Sequence, residues 1–195
     1  MASPAPLKSP TLQPHDWILA AYARLAADGI EAVRIEVLAR ELRVSKGSFY
    51  WHFQDREDLL AKMLASWESE ELAWLESVAS GDYSAAARWA RFVERFAQPE
   101  RARLMVAFHS WARHDAAVAA RIAALETKRS RFIADVLQDI GLTRGAAESW
   151  SELAQYACLG WLDRATREAP SHPGERSLGD VLSELIRAAS GQSAV

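Results

Sequence analysis

The chain has 195 residues, 50% of them hydrophobic and 25% charged, with a formal net charge of -3. That composition excludes a disordered, fibrous or coiled-coil chain, and a fold of this size buries roughly 70% of the surface it exposes when unfolded, enough for a real core. A single cysteine excludes an internal disulfide or a cysteine-rich zinc site, and no apolar stretch approaches a membrane span, so reducing cytoplasm is the expected compartment and no membrane is an expected partner.

Residues 1–14 carry Pro4, Pro6, Pro10 and Pro14 among Ser and Thr and read as a flexible tail, without the basic and apolar regions of a signal peptide. From His15 to Ala27, Trp17, Ile18, Ala21, Tyr22 and Leu25 recur at helical spacing, and Asp28-Gly29 stops the run. A second helix is expected over about Ile35 to Leu42. After Arg43 and Val44, the Ser45 hydroxyl suits the cap of a short third helix. Asp55 to Asp58 is a capping pattern opening a long helix with Met63, Leu64, Trp67, Trp74, Leu75 and Val78 on about one face. Further helices are predicted over Tyr83 to Phe96, Glu100 to His114, Ala116 to Ile140, Arg144 to Ala169 and Leu178 to Ser190. Pro99 suits a first helical position, Asp115 and Thr143 suit caps, Gly141 suits a helix end, and Pro170 to Gly174 reads as a loop. No convincing strand pattern and no internal repeat occurs. The expected class is all-α, a three-helix head followed by a larger bundle.

Two helices about two residues apart, the second only two turns long, resemble a helix-turn-helix, whose second helix enters the DNA major groove. The first N–H groups of that helix are unpaired and partly positive, which suits phosphate or base acceptors. Lys46, Gly47 and Ser48 stand there: a cation, a site of close backbone approach and a hydroxyl for a base edge. Tyr50 and His52 add donors, Phe49 and Phe53 suit the packed side, and Trp51 suits either side. A mildly acidic chain needs a local patch to meet nucleic acid, and residues 40–54 carry a net charge of +2.

The run Leu38-Ala-Arg-Glu-Leu-Arg-Val-Ser-Lys-Gly-Ser-Phe-Tyr-Trp-His-Phe-Gln-Asp-Arg-Glu-Asp-Leu-Leu60 resembles the DNA-binding signature of the tetracycline-repressor (TetR) family of bacterial regulators. The resemblance covers about residues 15–60; beyond it the likeness is one of length and helix order. It implies a helix-turn-helix DNA-binding domain over 15–58, and a ligand-binding and dimerisation domain over 59–195 whose last two long helices form a four-helix dimer interface. The implied function is a ligand-responsive transcriptional regulator, usually a repressor, bound as a homodimer to a palindromic double-stranded DNA operator. By position, Lys46, Gly47 and Ser48 match base-contacting residues, Tyr50 and His52 phosphate-holding ones, Trp51 a variable DNA-facing one, and Arg56 the usual phosphate-binding Lys. Two departures stand out. Arg34 replaces a capping Thr or Ser and adds a cation in reach of phosphate. Arg43 replaces the Gly of the turn, where a left-handed backbone costs a residue with a Cβ about 1 kcal/mol.

In the bundle, Trp89, Phe92, Phe108, Trp111 and Tyr156, with His109 and Gln155 as polar anchors, suit either core packing or the lining of a cavity for a hydrophobic or aromatic effector. Trp150, Leu153, Ala157 and Trp161 form one apolar stripe, and Leu182, Leu185 and Ile186 lie on another. Either packs on its own bundle or forms the dimer interface that the resemblance implies. An enzyme is the weaker reading: Glu-x-x-His pairs, the zinc-protease pattern and phosphate loops are absent, no metal ligand set or cofactor motif appears, and Cys158 reads as a buried small apolar residue. A third reading, an interaction module that has lost DNA binding, draws its support from Arg43.

Overall fold

The computed structural model describes residues 12–167 and 178–189. Among them every regular element is helical, and no helix is long and apolar enough to cross a membrane. The expected tail up to residue 11 and the loop at 170–174 lie outside the described residues.

Helix α1, Pro14–Asp28, starts with its proline in the first turn, where the missing N–H costs nothing. The Gln13 N–H donates to Asp16 Oδ2 at 2.6 Å, and the buried set is the expected stripe Trp17, Ile18, Ala21, Tyr22 and Leu25. Gly29, at φ 80°, ends the helix and leads into a single 3-10 turn, Ile30–Ala32, which periodicity does not reveal because it is too short to repeat. Helices α2, Ile35–Glu41, and α3, Lys46–Tyr50, follow. Helix α4, Arg56–Ser80, begins at a reciprocal cap: Asp55 Oδ1 accepts from the Asp58 N–H at 2.8 Å, and Asp58 Oδ2 accepts from the Gln54 N–H at 3.0 Å. Ser45 differs from expectation. Its hydroxyl makes no cap bond, and its carbonyl instead accepts the Ser48 N–H at 3.0 Å.

The later helices are α5, Ala85–Ala97, α6, Pro99–Ala112, α7, Ala116–Ile140, α8, Arg144–Arg167, and α9, Leu178–Ala189. Ser84 caps α5, which therefore starts two residues later than predicted; Asp115 caps α7 through the N–H groups of Ala117 and Val118, at 2.9 and 3.1 Å. Gly141 closes α7 at φ 115°.

The chain divides within α4 into two compact units, Met1–Ser66 and Trp67–Val195, later in that helix than the boundary expected after residue 58. In the first, Trp17 meets Phe49 edge-on at 5.3 Å and Phe49 stacks on Phe53 at 5.1 Å, with Leu38, Leu59 and Met63 buried around them. Losing a buried ring such as Phe49 costs about 3–5 kcal/mol, so this small core fixes α3 to its neighbours. In the second, α7 packs against α5, α6 and α8, and α9 against α5 and α8. The inward face of α4 carries Trp67, Leu75 and Val78 as expected, but also a carboxylate, Glu71, which is buried.

Candidate nucleic-acid interface

The turn between α2 and α3 closes in a Schellman arrangement: the Val44 N–H donates to the Ala39 carbonyl at 2.9 Å, with Arg43 left-handed at φ 57°. Arg43 therefore keeps the backbone a glycine would give, at the cost of steric strain at Cβ. The turn holds α3 with Phe49 facing inward, and the helical repeat then sets every neighbour. Lys46, Gly47, Tyr50 and Trp51 come to the surface together, while Ser48 and His52 are half-buried beside them. Trp51 is 87% exposed and Tyr50 59% exposed, the Tyr50 ring meeting buried Phe49 edge-on at 5.3 Å. A Cβ added at Gly47 would meet only Ser45 Oγ, at 3.5 Å, so packing within the chain does not demand a glycine there.

Lys46 Nζ lies 2.5 Å from Glu36 Oε1, and this bond holds the Glu36 carboxyl below the usual range. Both side chains are more than half exposed, so the pair yields readily to a stronger anion. Arg34 is exposed at the start of α2, makes no side-chain cap there, and donates from Nε to the Glu31 carbonyl at 2.9 Å. Arg56 departs from its expected place. Its guanidinium turns inward, with Nε donating to the Val33 carbonyl and Nη2 to the Ile30 carbonyl, both at 2.7 Å. The planar fork spans two carbonyls, making Arg56 a clamp on the 3-10 turn and not an outward phosphate donor. Sequence reasoning missed Lys62. Its exposed ammonium lies 3.3 Å from the His52 carbonyl, 5.1 Å from the centre of the Phe53 ring and 2.9 Å from Asp58. Its spacing four residues after Asp58 is the one signal that could have drawn attention to it.

The residues expected around an effector divide differently. Trp89 and Phe92 are buried in an aromatic cluster with Trp74, Phe96 and Phe132, and Trp89 Nε1 donates to Ser183 Oγ at 3.1 Å. Phe108 and Trp111 are buried elsewhere, with Phe108 stacked on Trp67 at 4.4 Å. His109 is half-buried with Nε2 unpartnered, and Gln155 is half-buried with Oε1 unpartnered. Tyr156 leaves the set, being 69% exposed. The reason is the phase of α8, which turns Ala147, Ser151, Ala154, Cys158 and Leu162 inward and puts Tyr156 outside. An open polar groove of about 580 Å³ along α7 and α8, lined by Ser130, Arg131, Asp135, Arg144 and Ser151 among others, contains none of the seven.

Of the expected interface residues, Leu153 is 48% exposed, and Trp150, Ala157 and Trp161 are half-buried along the same outward side of α8. Leu182 and Ile186 are corrected: both are buried within the second unit, where α9 packs on α5 and α8. The Leu185 side chain lies outside the described residues. Among the described residues no group of three or more His, Cys, Asp and Glu could hold a metal ion.

Residues 18–63 match the family model of bacterial regulatory proteins of the tetR family. No curated protein matches the chain. Among solved structures, it is similar to a transcriptional regulator from Rhodococcus sp. Rha1, with a TM-score of 0.75 and 22% identity over 94% of this chain and 99% of that one. It is also similar to a TetR transcriptional regulator from Legionella pneumophila, with a TM-score of 0.73 and 15% identity over 94% and 98% of the two chains. A TetR transcription regulator from Haloarcula marismortui gives 0.64 and 18% over 91% and 94%. At these identities the likeness is one of fold, and it extends far beyond the 46 residues from 18 to 63 matched by the family model. The head thus matches the tetR-family model over residues 18–63, and the fold of the chain as a whole is similar to that of solved TetR transcriptional regulators.

Proposed function

We propose that the chain acts as a homodimer on a palindromic operator, as a repressor whose hold on DNA is changed by a small apolar effector. The DNA-reading surface is Lys46, Gly47, Ser48, Tyr50, Trp51 and His52, with Arg34 and Lys62 on phosphates. What carries the reading is the group of exposed side chains on α3 and at its end: Lys46, Tyr50 and Trp51 are exposed, while Phe49 behind them is fully buried. Rigid backing with exposed polar tips is the arrangement a major-groove reader requires. Gly47 supports the same reading, since a Cβ would fit the chain but would stand where a base or phosphate approaches.

The dimer face in this reading is the outward side of α8, around Leu153, Tyr156 and Trp161. Two copies related by a two-fold axis then meet half-sites about 34–36 Å apart, one turn of DNA. An effector that prefers one state of the dimer shifts operator affinity by its differential binding, about 1–3 kcal/mol in typical couplings.

The test is an anisotropy titration of the purified chain against DNA flanking its own gene. Gly47→Ala and Tyr50→Ala are each expected to weaken specific binding about tenfold, as loss of one good contact does, with unchanged circular dichroism. Specific binding that survives both substitutions, or no preference for any flanking segment even at low salt, defeats the reading.

A further inference from the structure

Within the second unit, three arginines from three helices converge on the one buried carboxylate of α4. Glu71 Oε1 accepts from Arg95 Nη2 at 2.8 Å and from Arg101 Nη2, and its Oε2 lies 3.5 Å from Arg129 Nη2. One carboxylate cannot satisfy three guanidinium groups. Arg129 is only 3% exposed, yet its Nε and Nη2 have no hydrogen-bond acceptor among the described residues, and its Nη1 reaches only Met105 Sδ at 4.0 Å. Arg95 Nε and His109 Nε2 are also buried without a partner. A buried cation with unmade hydrogen bonds is among the most costly features a core can hold, and it calls for an acceptor.

The neighbouring acidic groups do not supply one. Glu126 is half-buried, with Oε1 3.7 Å from His109 Nε2, and makes no ion pair with Arg129 among the described residues. Glu70, which attracts Arg95, is exposed. Burial pushes the Cys158 thiol up to about 12, so it stays neutral beside Arg129. His109 is pushed down to about 4 by burial and by the positive charge of Arg129 and Arg113, so it too stays neutral, with a ring N–H to donate. Apolar surface flanks the cations: the Arg129 guanidinium lies 4.9 Å from the Phe96 ring centre and that of Arg95 lies 4.4 Å from Trp74. The cluster grades from buried Arg129 and Glu71 to partly exposed Arg101, His109 and Glu126, which gives it a side facing solvent.

We propose that this cluster is the anionic end of the effector site and that the effector is an organic carboxylate with an apolar body. Its carboxylate pairs with the Arg129 fork and the His109 ring N–H, and its body lies against Phe96 and Trp74. The proposal rests on the effector-responsive reading above and gives that effector its chemical class. It also moves the site away from Trp111 and Tyr156, keeping only His109 as an anchor.

The experiment is calorimetric titration of the full chain with phenylacetate, benzoate and octanoate, each against its uncharged amide, and addition of the same six compounds to the chain bound to operator DNA. At least one acid is expected to bind about tenfold or more tightly than its amide, because the amide carries no charge for the buried guanidinium. Arg129→Lys, which keeps the charge and loses the planar fork, is expected to weaken that acid about tenfold. Should that variant not fold, His109→Leu replaces it and is expected to weaken the acid about threefold or more, by the loss of one hydrogen bond. Equal binding of acid and amide, no acid binding at all, or a folded variant that binds as tightly as the parent overturns the proposal. Release of operator by an amide but by no acid overturns the carboxylate and leaves the regulator reading standing. An acid that binds with the expected preference to a chain with no operator affinity upholds the site and defeats that reading.

Discussion

Arg43 shows how one residue can depart from a local rule without changing the backbone around it. The turn is held by the Val44 N–H on the Ala39 carbonyl, and the left-handed φ of 57° is adopted in spite of the side chain. Removing the Cβ should relieve that strain. Arg43→Gly is expected to stabilise the chain by about 0.5–1 kcal/mol, toward the lower end because glycine also frees the unfolded chain. Urea denaturation measures it, and a destabilised variant would mean that the arginine side chain makes an offsetting contact. Arg43 thus gives no support to a head that has lost its DNA-binding shape. Arg56 teaches the opposite lesson. Its charge is legible in the sequence, but the direction of its guanidinium is set by the Ile30 and Val33 carbonyls, which only the folded 3-10 turn brings within reach.

At the scale of the element, α8 is decisive because it carries two neighbouring apolar stripes. Both Leu153-Ala157-Trp161 and Ala154-Cys158-Leu162 run at helical spacing, so periodicity alone cannot choose the inner face. Packing against α6 and α7 chooses the second set and leaves Leu153 and Tyr156 in solvent. An exposed ring on an apolar stripe is a usual mark of a partner surface. Tyr156→Asp is expected to leave helicity intact and to halve the mass measured by light scattering, with operator affinity falling alongside. A dimer that survives the substitution removes this face of α8 from the interface. Leu182 and Ile186 carry the matching lesson for α9: the stripe was legible, and what it packs against was not.

For the molecule as a whole, His109, buried near the Arg129 cation, contributes to the response to acid. The folded chain holds His109 neutral down to about pH 4, whereas the unfolded imidazole protonates near 6.5. Its contribution to stability is therefore full above about pH 6.5 and is lost as pH falls toward about 4. Glu126, raised by burial, acts with the opposite sign as pH falls, so the imidazole is isolated by comparison with His109→Gln. Between pH 7 and 5 the parent is expected to lose up to about 2 kcal/mol more unfolding free energy than this variant, in urea titrations at the two values. Equal losses would show that His109 is not held neutral.

The sequence by itself determined the helical class, nearly every helix boundary, the caps at Asp55 and Asp115 and the short third helix of the head. All of these depend on side chains within about four residues of one another, where geometry is nearly fixed by the backbone. Only the tertiary structure decided which face of α8 is buried, that Arg56 points inward, and that Glu71, Arg95, Arg101 and Arg129 meet. Those outcomes turn on which helices pack together and in what phase, and no local pattern carries that information when residues from three different helices must converge on one carboxylate of a fourth.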